Sequence, residues 1–216
     1  IAFSALVATR SEGVLKEELK KEVPYLFLNR KRRIDIGAVL RLKQFVKVHD
    51  VSIVHAHGTS FFMAVLLKLV AFKVKVVWHD HNGNRSNQTR NENKVLRMCS
   101  LFFSYVFTVN KELESWSIDN LLTKKVLDVP NFTVIDNTAK TQTILKGNDG
   151  RRIVCLSNLR HPKNHLFLIT AFSESNLASR AWTLHLIGRD DQDHYSDAVK
   201  SLISDYKLEQ SVFIYG

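Results

Sequence analysis

Several features that would define a protein class are scarce or absent in this sequence. Only two cysteines occur in 216 residues, Cys99 and Cys155, and they form no Cys-x-x-Cys pair, so a reducing compartment is the default. The longest apolar run, residues 61–72, is too short for a bilayer and is interrupted by Lys68. The apolar start, residues 1–8, lacks the basic region of a signal peptide. We therefore expect a globular protein of the cytoplasm.

Two common nucleotide-binding signatures are also missing. The sequence has no Walker lysine motif and no G-x-G-x-x-G, so neither an NTPase nor a dinucleotide enzyme is supported. It also shows no nucleic-acid module and no exposed aromatics interleaved with its basic residues, so we expect no nucleic-acid partner.

The charge is strongly positive instead. A net charge of +10 and a pI near 9.7 favour an anionic partner, such as a phosphorylated small molecule or lipid headgroups. Basic residues are dense in the first 47 positions: Lys16, Lys20, Lys21, Arg30–Arg33, Arg41, Lys43 and Lys47. A solvated face is the commonest explanation for such a set. An anionic membrane surface is the functional alternative, and it would place the protein peripherally on the cytoplasmic face of the inner membrane.

Short β-branched runs alternate with helix-length segments along the whole chain, which predicts an α/β fold with parallel sheets. We expect a Rossmann-like domain over residues 1–132 and a Thr-, Asn- and Asp-rich linker over 133–150. The alternation restarts at 151–216 with three strands, about half of a second such domain. Because the chain begins with Ile and ends directly after a predicted strand, it looks like a piece of a longer protein.

Three local predictions depend on composition alone. Residues 12–23, rich in Lys, Glu and Leu, predict an exposed helix. Asp35 is typical of the N-cap of a helix that runs to about residue 49, with Ile36, Val39, Leu40 and Val46 on one arc. The Asn-rich segment 82–93 predicts a mobile polar loop that serves as a lid or binding loop.

Histidines follow two neighbouring predicted strands. Four of the nine histidines fall in the sequences HAH, residues 55–57, and HDH, residues 79–81, each after an apolar run. Ligands bind at the carboxyl ends of parallel strands, so these residues predict the wall of a functional cleft. An H-x-H pair would also suit a metal ion, with Asp80 as a bridge, although no further carboxylate or Cys ligand is evident nearby. His79 is the best candidate for contact with a sugar hydroxyl or a phosphate.

A second polar cluster, residues 157–165, lies between a predicted strand and helix. Backbone N–H groups and the positive end of the helix dipole meet at such a turn. Arg160 and Lys163 add positive charge, so the segment predicts a grip for a diphosphate group; the alternative is a solvated basic turn.

The order of several segments resembles the retaining glycosyltransferases of the large group-1 family, the family-four class, which have the GT-B fold of two Rossmann-like domains. The segments are IVHAHG, VVWHDH, FTVNKEL and KVLDVPNF, then SNLRHPKNHLFLITAF, LHLIGRD and VFIYG. The resemblance covers essentially the whole chain. The HDH and NLRxxKNH variants are similar to bacterial transferases that build capsules or other surface polysaccharides.

The resemblance implies roles for particular residues. Lys163 matches the Lys of the family's G-R-L-x-x-x-K segment, which binds the donor diphosphate. Ser157 and Asn158 replace its Gly and Arg, so Arg160 is expected to take over the guanidinium role, with Asn158 nearby. The strand-end histidine near the reacting sugar maps onto His79.

The resemblance also implies which residues line the acceptor side, which cofactors are needed and which family segments lie outside residues 1–216. His57, Asp80 and His81 would lie on the acceptor side of the cleft. The family needs no metal and no cofactor besides its nucleotide-sugar donor, such as a UDP- or GDP-sugar. Its Gly-rich acceptor loop would precede residue 1, and its E-x(7)-E segment would follow residue 216.

The sequence therefore predicts a glycosyltransferase that moves a sugar from a nucleotide sugar to a lipid-linked or polysaccharide acceptor, with retention of configuration. The 216 residues alone are expected to be inactive, since half of the donor pocket would be missing. Two alternatives remain: a metal-dependent hydrolase that uses the HAH and HDH histidines, and a non-catalytic nucleotide-binding module.

Overall fold

The computed structural model describes residues 3–13, 16–132 and 144–216 and divides the chain into two compact units, Ile1–Ile135 and Asp136–Gly216. Both units alternate strands and helices, and every strand pairing within their sheets is parallel. The predicted α/β class with parallel sheets is confirmed, and the second unit has three strands.

The first unit contains a two-stranded sheet, β1-β2, and a four-stranded sheet in the order β3-β4-β5-β6. Its elements are β1 (Leu6–Ala8), β2 (Tyr25–Phe27), α1 (Ile36–Val48), β3 (Ile53–His57), α2 (Phe61–Val70), β4 (Lys75–Asp80), α3 (Lys94–Cys99), β5 (Tyr105–Thr108), α4 (Lys111–Asn120) and β6 (Val126–Asp128).

Alternation along the strands gives the four-stranded sheet two unlike faces. One face packs against α2, α3 and α4 and forms a core centred on Trp78, Val76 and Val106, each with no exposed surface. The other face carries histidines, and Ile53, Tyr105 and Leu127 are exposed there. Among the described residues, this second face is open at those three positions.

Helix α1 begins at the predicted cap, since the Asp35 carboxylate accepts a hydrogen bond from the Ala38 amide at 2.9 Å. Its buried residues are Ala38, Val39, Leu42 and Val46, which pack on α2 and Leu28. Ile36 and Leu40 were predicted on the buried arc and are instead 70% and 55% exposed. The small Ala38 lets α1 approach its neighbour, so the contact face is rotated away from these two larger residues.

The helix predicted over residues 12–23 is absent from the described part of that segment, which forms short turns. Lys and Glu residues provide helix propensity there, but a short helix needs an apolar face to bury. Leu19 has few apolar companions in the segment. The prediction of a helix over residues 12–23 is therefore wrong, because it used helix propensity without a buried apolar face.

The second unit contains a three-stranded sheet in the order β7-β8-β9. Its elements are β7 (Arg152–Leu156), α5 (His165–Glu174), β8 (Thr183–Ile187), α6 (His194–Asp205) and β9 (Val212–Tyr215). Leu184 and Leu186 of the central strand are fully buried against Ile169 of α5 and Val199 of α6. The strong apolar periodicity of this region explains why the predicted elements correspond closely to those observed.

Most of the predicted linker, residues 133–143, lies outside the described residues. The part that follows is folded onto the second unit. The Arg152 guanidinium donates to the carbonyls of Lys146 and Gly147 and to the Asp149 carboxylate. The segment from Lys146 onward thus continues directly into β7. In the described part of the chain, no helix combines the length and apolar character needed to cross a membrane.

Candidate functional site

Three of the predicted histidines, His55, His57 and His79, lie within strands rather than in the loops that follow them, whereas His81 directly follows β4. His55 and His57 project from one face of β3, and His79 projects from the same face of β4. His57 is directly opposite His79 in the parallel register. Gly58, at a φ of +52°, ends the strand, and its carbonyl accepts a hydrogen bond from the Trp78 indole at 2.9 Å.

The rings form one contiguous cluster. His55 stacks on His79 with ring centroids 5.3 Å apart, and His79 lies 4.1 Å from His81. His57 Nδ1 is 2.9 Å from His81 Nε2, within hydrogen-bonding distance. Phe107 of β5 meets the rings of His55 and His79 edge-on and forms an apolar side of the cluster. The structure therefore brings together all four histidines of the HAH and HDH sequences, His55, His57, His79 and His81.

Histidine protonation is disfavoured in this cluster. Desolvation, together with the neighbouring rings of His81, His55 and His57, lowers the pKa of His79 to about 4. Desolvation also lowers the pKa of His55 and of His57. All three rings are therefore neutral near pH 7. Each can donate one hydrogen bond and accept another.

Asp80 does not join the histidines. It is fully buried on the helix-side face of β4 and forms an ion pair with Arg85, whose guanidinium also donates to Asn93 Oδ1 at 2.6 Å. The guanidinium lies over the rings of Trp78 and Trp116. Asp80 was predicted to line the acceptor side of a cleft and to bridge a metal. The structure gives it a buried structural partner instead, on the side away from the histidine rings.

This ion pair anchors the Asn-rich segment 82–93. The Asn82 amide donates to Asp80 Oδ1 at 3.0 Å, and the Asn93 side-chain amide donates to Gln88 Oε1 and to the Thr89 carbonyl. The predicted mobile loop is therefore a folded turn built around a buried arginine. The sequence contains a signal for this fold, because Arg85 follows the strand-end Asp80 by five residues. A prediction from the Asn-rich composition of the segment did not take that pair into account.

In the second unit, the turn after β7 is held by a buried polar chain. His165 has no exposed surface, and its Nε2 lies 3.0 Å from Ser157 Oγ. The His165 amide donates to Tyr195 Oη of α6 at 2.8 Å. Burial lowers the pKa of His165, so the neutral ring links the first residue of α5 to the end of β7. The sequence prediction did not identify this support, although His165 stands in the quoted segment.

The predicted anion-binding residues lie around this turn. Arg160 and Lys163 are exposed, and no side-chain ion pair of either is found in the described residues. Lys163 ends a single 3₁₀ turn, His161–Lys163, directly before α5. The Asn158 side chain is already engaged, since its Oδ1 accepts a hydrogen bond from the Arg189 amide at 3.2 Å. The structure thus places two cations and a helix N-terminus together, and Asn158 holds the turn.

Gly188 allows the neighbouring turn to approach. A Cβ at this position would lie 2.4 Å from the Ser157 carbonyl oxygen and 2.8 Å from the Asn158 nitrogen, at a φ of +149°. The ends of β7 and β8 therefore meet at backbone distance, which the Gly of the IGRD segment makes possible.

Comparisons with known structures agree with this architecture. A glycosyltransferase from Rickettsia africae matches 98% of the chain at 17% identity, with a TM-score of 0.72. HepE from Anabaena, in complex with UDP and glucose, matches 97% at 15% identity, with a TM-score of 0.74. TarM from S. aureus, solved with UDP and saccharide ligands, matches 83% at 15% identity, with a TM-score of 0.62.

The chain covers 60% and 61% of the first two proteins and 36% of TarM, so it spans less than two thirds of their lengths. At these identities the likeness shows the fold. No curated protein sequence matches the chain. Residues 4–135 match the sequence model of the family described as Glycosyltransferase Family 4. This range includes the histidine cluster and the Asp80–Arg85 pair. Because this match spans more than half of the sequence, the chain belongs to that glycosyltransferase family.

Proposed function

We propose that the chain acts in a glycosyltransferase that moves a sugar from a nucleoside-diphosphate sugar to a lipid-linked or polysaccharide acceptor. Retention of configuration and a role in cell-surface polysaccharide synthesis belong to the same proposal. The observation that carries it is the turn after β7, where exposed Arg160 and Lys163 flank the start of α5. The UDP and UDP-glucose complexes of the Anabaena neighbour support a donor of this class.

The chemistry requires charge stabilisation at the leaving group. When the bond between the sugar's anomeric carbon and the donor phosphate breaks, negative charge develops on the departing diphosphate. Lys163 and Arg160 would neutralise that charge, and the amides of Leu166 and Phe167, which follow His165 in the first turn of α5, would donate to phosphate oxygens. The buried His165 and the half-buried Tyr195 hold these groups in place before the donor binds. We expect no metal requirement for this step.

His79 is the candidate residue for contact with the reacting sugar. Its neutral ring makes no hydrogen bond of normal geometry through either nitrogen in the described part of the chain, although the residue is only 8% exposed. Such a ring would orient a sugar or attacking hydroxyl by accepting or donating one hydrogen bond. His57 and His81, which bond to each other beside it, would line the acceptor side.

A lipid-linked acceptor would require contact with a membrane surface. Lys31, Arg32 and Arg33 are exposed, and Ile34 and Ile36 beside them are 61% and 70% exposed. Basic residues next to exposed apolar ones are typical of proteins that rest on anionic lipid. The proposed location is therefore the cytoplasmic face of the inner membrane. Arg30, by contrast, is buried and lies outside this surface.

Calorimetric titration of UDP and GDP into the chain tests the donor site. We expect binding of at least one nucleotide by the wild type, unchanged by a chelator. Lys163→Ala should weaken it by about 30-fold, which corresponds to about 2 kcal/mol for a hydrogen bond to a charged group. Arg160→Ala should weaken it as well.

The matched control is Lys43→Ala, an exposed lysine on α1 far along the sequence from the turn. It should bind as the wild type does. Failure of the wild type to bind either nucleotide at millimolar concentration would contradict the proposal. So would affinity that ignores Lys163 and disappears with the chelator.

A further inference from the structure

Three imidazoles converge on the open face of the four-stranded sheet without an assigned ligand. His55, His57 and His79 each offer a ring nitrogen, and these nitrogens all lie within 4.8 Å of one another. His79 is buried, and neither of its ring nitrogens makes a hydrogen bond of normal geometry in the described residues, although the Val129 backbone lies near the ring. Buried polar atoms are normally satisfied, so an unsatisfied pair aimed into a cluster of potential ligands requires an explanation.

We propose that His55, His57 and His79 form a binding site for a transition-metal ion such as Zn²⁺, Co²⁺ or Ni²⁺. The inference goes beyond the proposed sugar transfer, which requires no metal.

The geometry is close to that of a metal site. Bonds of 2.0–2.1 Å from zinc to histidine nitrogen place tetrahedral ligands roughly 3.4 Å apart. The 4.8 Å limit of this cluster exceeds that spacing by about 1.4 Å. His55 and His57 are exposed, so rotation of their side chains closes the difference without disturbing the core.

The donor set selects the class of metal. Three neutral imidazoles suit zinc, cobalt, nickel and copper, whereas Mg²⁺ and Mn²⁺ prefer carboxylate, carbonyl and water oxygens. The nearest buried carboxylate, Asp80, is paired with Arg85 on the opposite face of the sheet. The site therefore excludes hard cations by its chemistry. Three protein ligands also leave a coordination position for water or another ligand.

His81 gives the site an outer partner. A metal-binding histidine normally uses its second ring nitrogen for a hydrogen bond that fixes the ring's orientation. His57 Nδ1 lies 2.9 Å from His81 Nε2, which leaves His57 Nε2 for the metal. Phe107 packs edge-on against His55 and His79 and restricts their movement.

Metal binding and sugar transfer would compete for one residue. Because His79 is proposed to orient the reacting sugar, a metal at this site would withdraw its nitrogen from that role. Zn²⁺ is therefore expected to reduce transfer while leaving nucleotide binding at the β7–α5 turn unchanged. Zinc binding and nucleotide binding can therefore be measured separately, and either proposal can be contradicted without the other.

Titration of Zn²⁺ and Co²⁺ into the untagged, metal-stripped chain tests the site directly. We expect one ion per chain with micromolar or tighter affinity, and the intense visible absorption of four-coordinate Co²⁺. His55→Ala and His57→Ala should each weaken Zn²⁺ binding by more than 100-fold. His81→Ala should weaken it by about tenfold, as expected for an outer partner. A large excess of Mg²⁺ or Mn²⁺ should not displace the ion.

The matched control is His194→Ala, an exposed histidine at the start of α6 in the second unit. It should retain wild-type affinity. Far-UV circular dichroism and UDP titration establish that His55→Ala and His57→Ala remain folded and keep the donor site. The proposal is overturned if the wild type binds no Zn²⁺, or if both variants bind it as tightly as the wild type. Loss of binding in His194→Ala alone would also overturn it.

Discussion

Asp80 and Arg85 join two parts of the first unit through a buried ion pair. Asp80 ends β4 without any exposed surface, and Arg85 lies between the rings of Trp78 and Trp116. Removal of one member of such a pair leaves the other charge buried and unpaired, which is far more costly than loss of an exposed pair. The pair therefore fixes the segment that follows β4 relative to the sheet.

We expect Asp80→Asn to lower the free energy of unfolding of the first unit by about 3 kcal/mol, because Arg85 would remain buried without its carboxylate. Urea unfolding followed by tryptophan fluorescence measures this change. A Trp182→Phe background limits the signal to Trp78 and Trp116, which flank Arg85.

The control for that substitution is Lys111→Ala, which removes an exposed partner of Glu114 and Asp128. It should shift the unfolding midpoint little, since exposed ion pairs contribute little to stability. Equal midpoints for Asp80→Asn and the parent would refute the structural role given to this carboxylate.

Single residues were predicted correctly where the local sequence alone fixes them. Asp35 caps α1 as expected, since capping depends only on residues within one turn. The role of Asp80 could not be predicted in this way. Its partner lies across a turn, and strand alternation directs it to the opposite face from His79. The roles of His79, Arg160 and Lys163 in transfer stay predictions.

At the scale of elements, the turn after β7 and the turn after β8 lie against each other. Their close approach fixes the position of the start of α5. Gly188 is the residue that permits this approach, because a side chain would collide with the backbone of Ser157. The turn that carries Lys163 is therefore positioned partly by a residue that never contacts the proposed ligand.

Gly188→Ala should destabilise the second unit by about 3 kcal/mol, from the backbone collision and the strained φ together. Amide hydrogen exchange measures this locally, and protection in β7 and β8 should fall by about 100-fold. Gly216→Ala is the matched control, since nothing lies within 4 Å of its added Cβ. Wild-type protection in Gly188→Ala would contradict the proposed approach of the two turns.

Periodicity predicted the elements best where they are buried. The three strands predicted within residues 151–216 are all present, and β8 and β9 are apolar and bounded by turn residues. The failures occur where packing decides. Residues 12–23 have helix propensity but little to bury, and α1 rotates so that Ile36 and Leu40 face away from the core. The buried residues Val39, Leu42 and Val46 follow the i, i+3, i+7 spacing of a helix face, so a narrower arc would have excluded Ile36 and Leu40.

Across the whole molecule, the net charge of +10 is concentrated in part in the basic surface of residues 31–33. This surface adjoins exposed Ile34 and Ile36, and Lys31, Arg32 and these isoleucines border a shallow cavity of about 350 Å³. The combination of charge and apolar exposure is the basis for the proposed contact with a membrane, and a solvated face is the alternative.

Vesicle sedimentation tests that distinction. We expect the chain to bind vesicles of phosphatidylglycerol and phosphatidylcholine, but not of phosphatidylcholine alone, and binding to weaken as salt rises. Lys31→Ser with Arg32→Ser should reduce binding by roughly 30-fold, from roughly 1 kcal/mol for each basic residue. Lys124→Ser with Lys125→Ser removes the same charge elsewhere. Equal effects of both pairs would indicate net charge rather than a defined surface.

Amide hydrogen exchange with and without saturating UDP tests the central claim most directly, because it locates the nucleotide on the chain. The account predicts slower exchange at residues 157–168, the turn after β7 and the first turn of α5, and loss of this effect in Lys163→Ala. Slowing confined to residues 53–60 and 75–85, around the histidine cluster, would contradict the donor site assigned to the second unit.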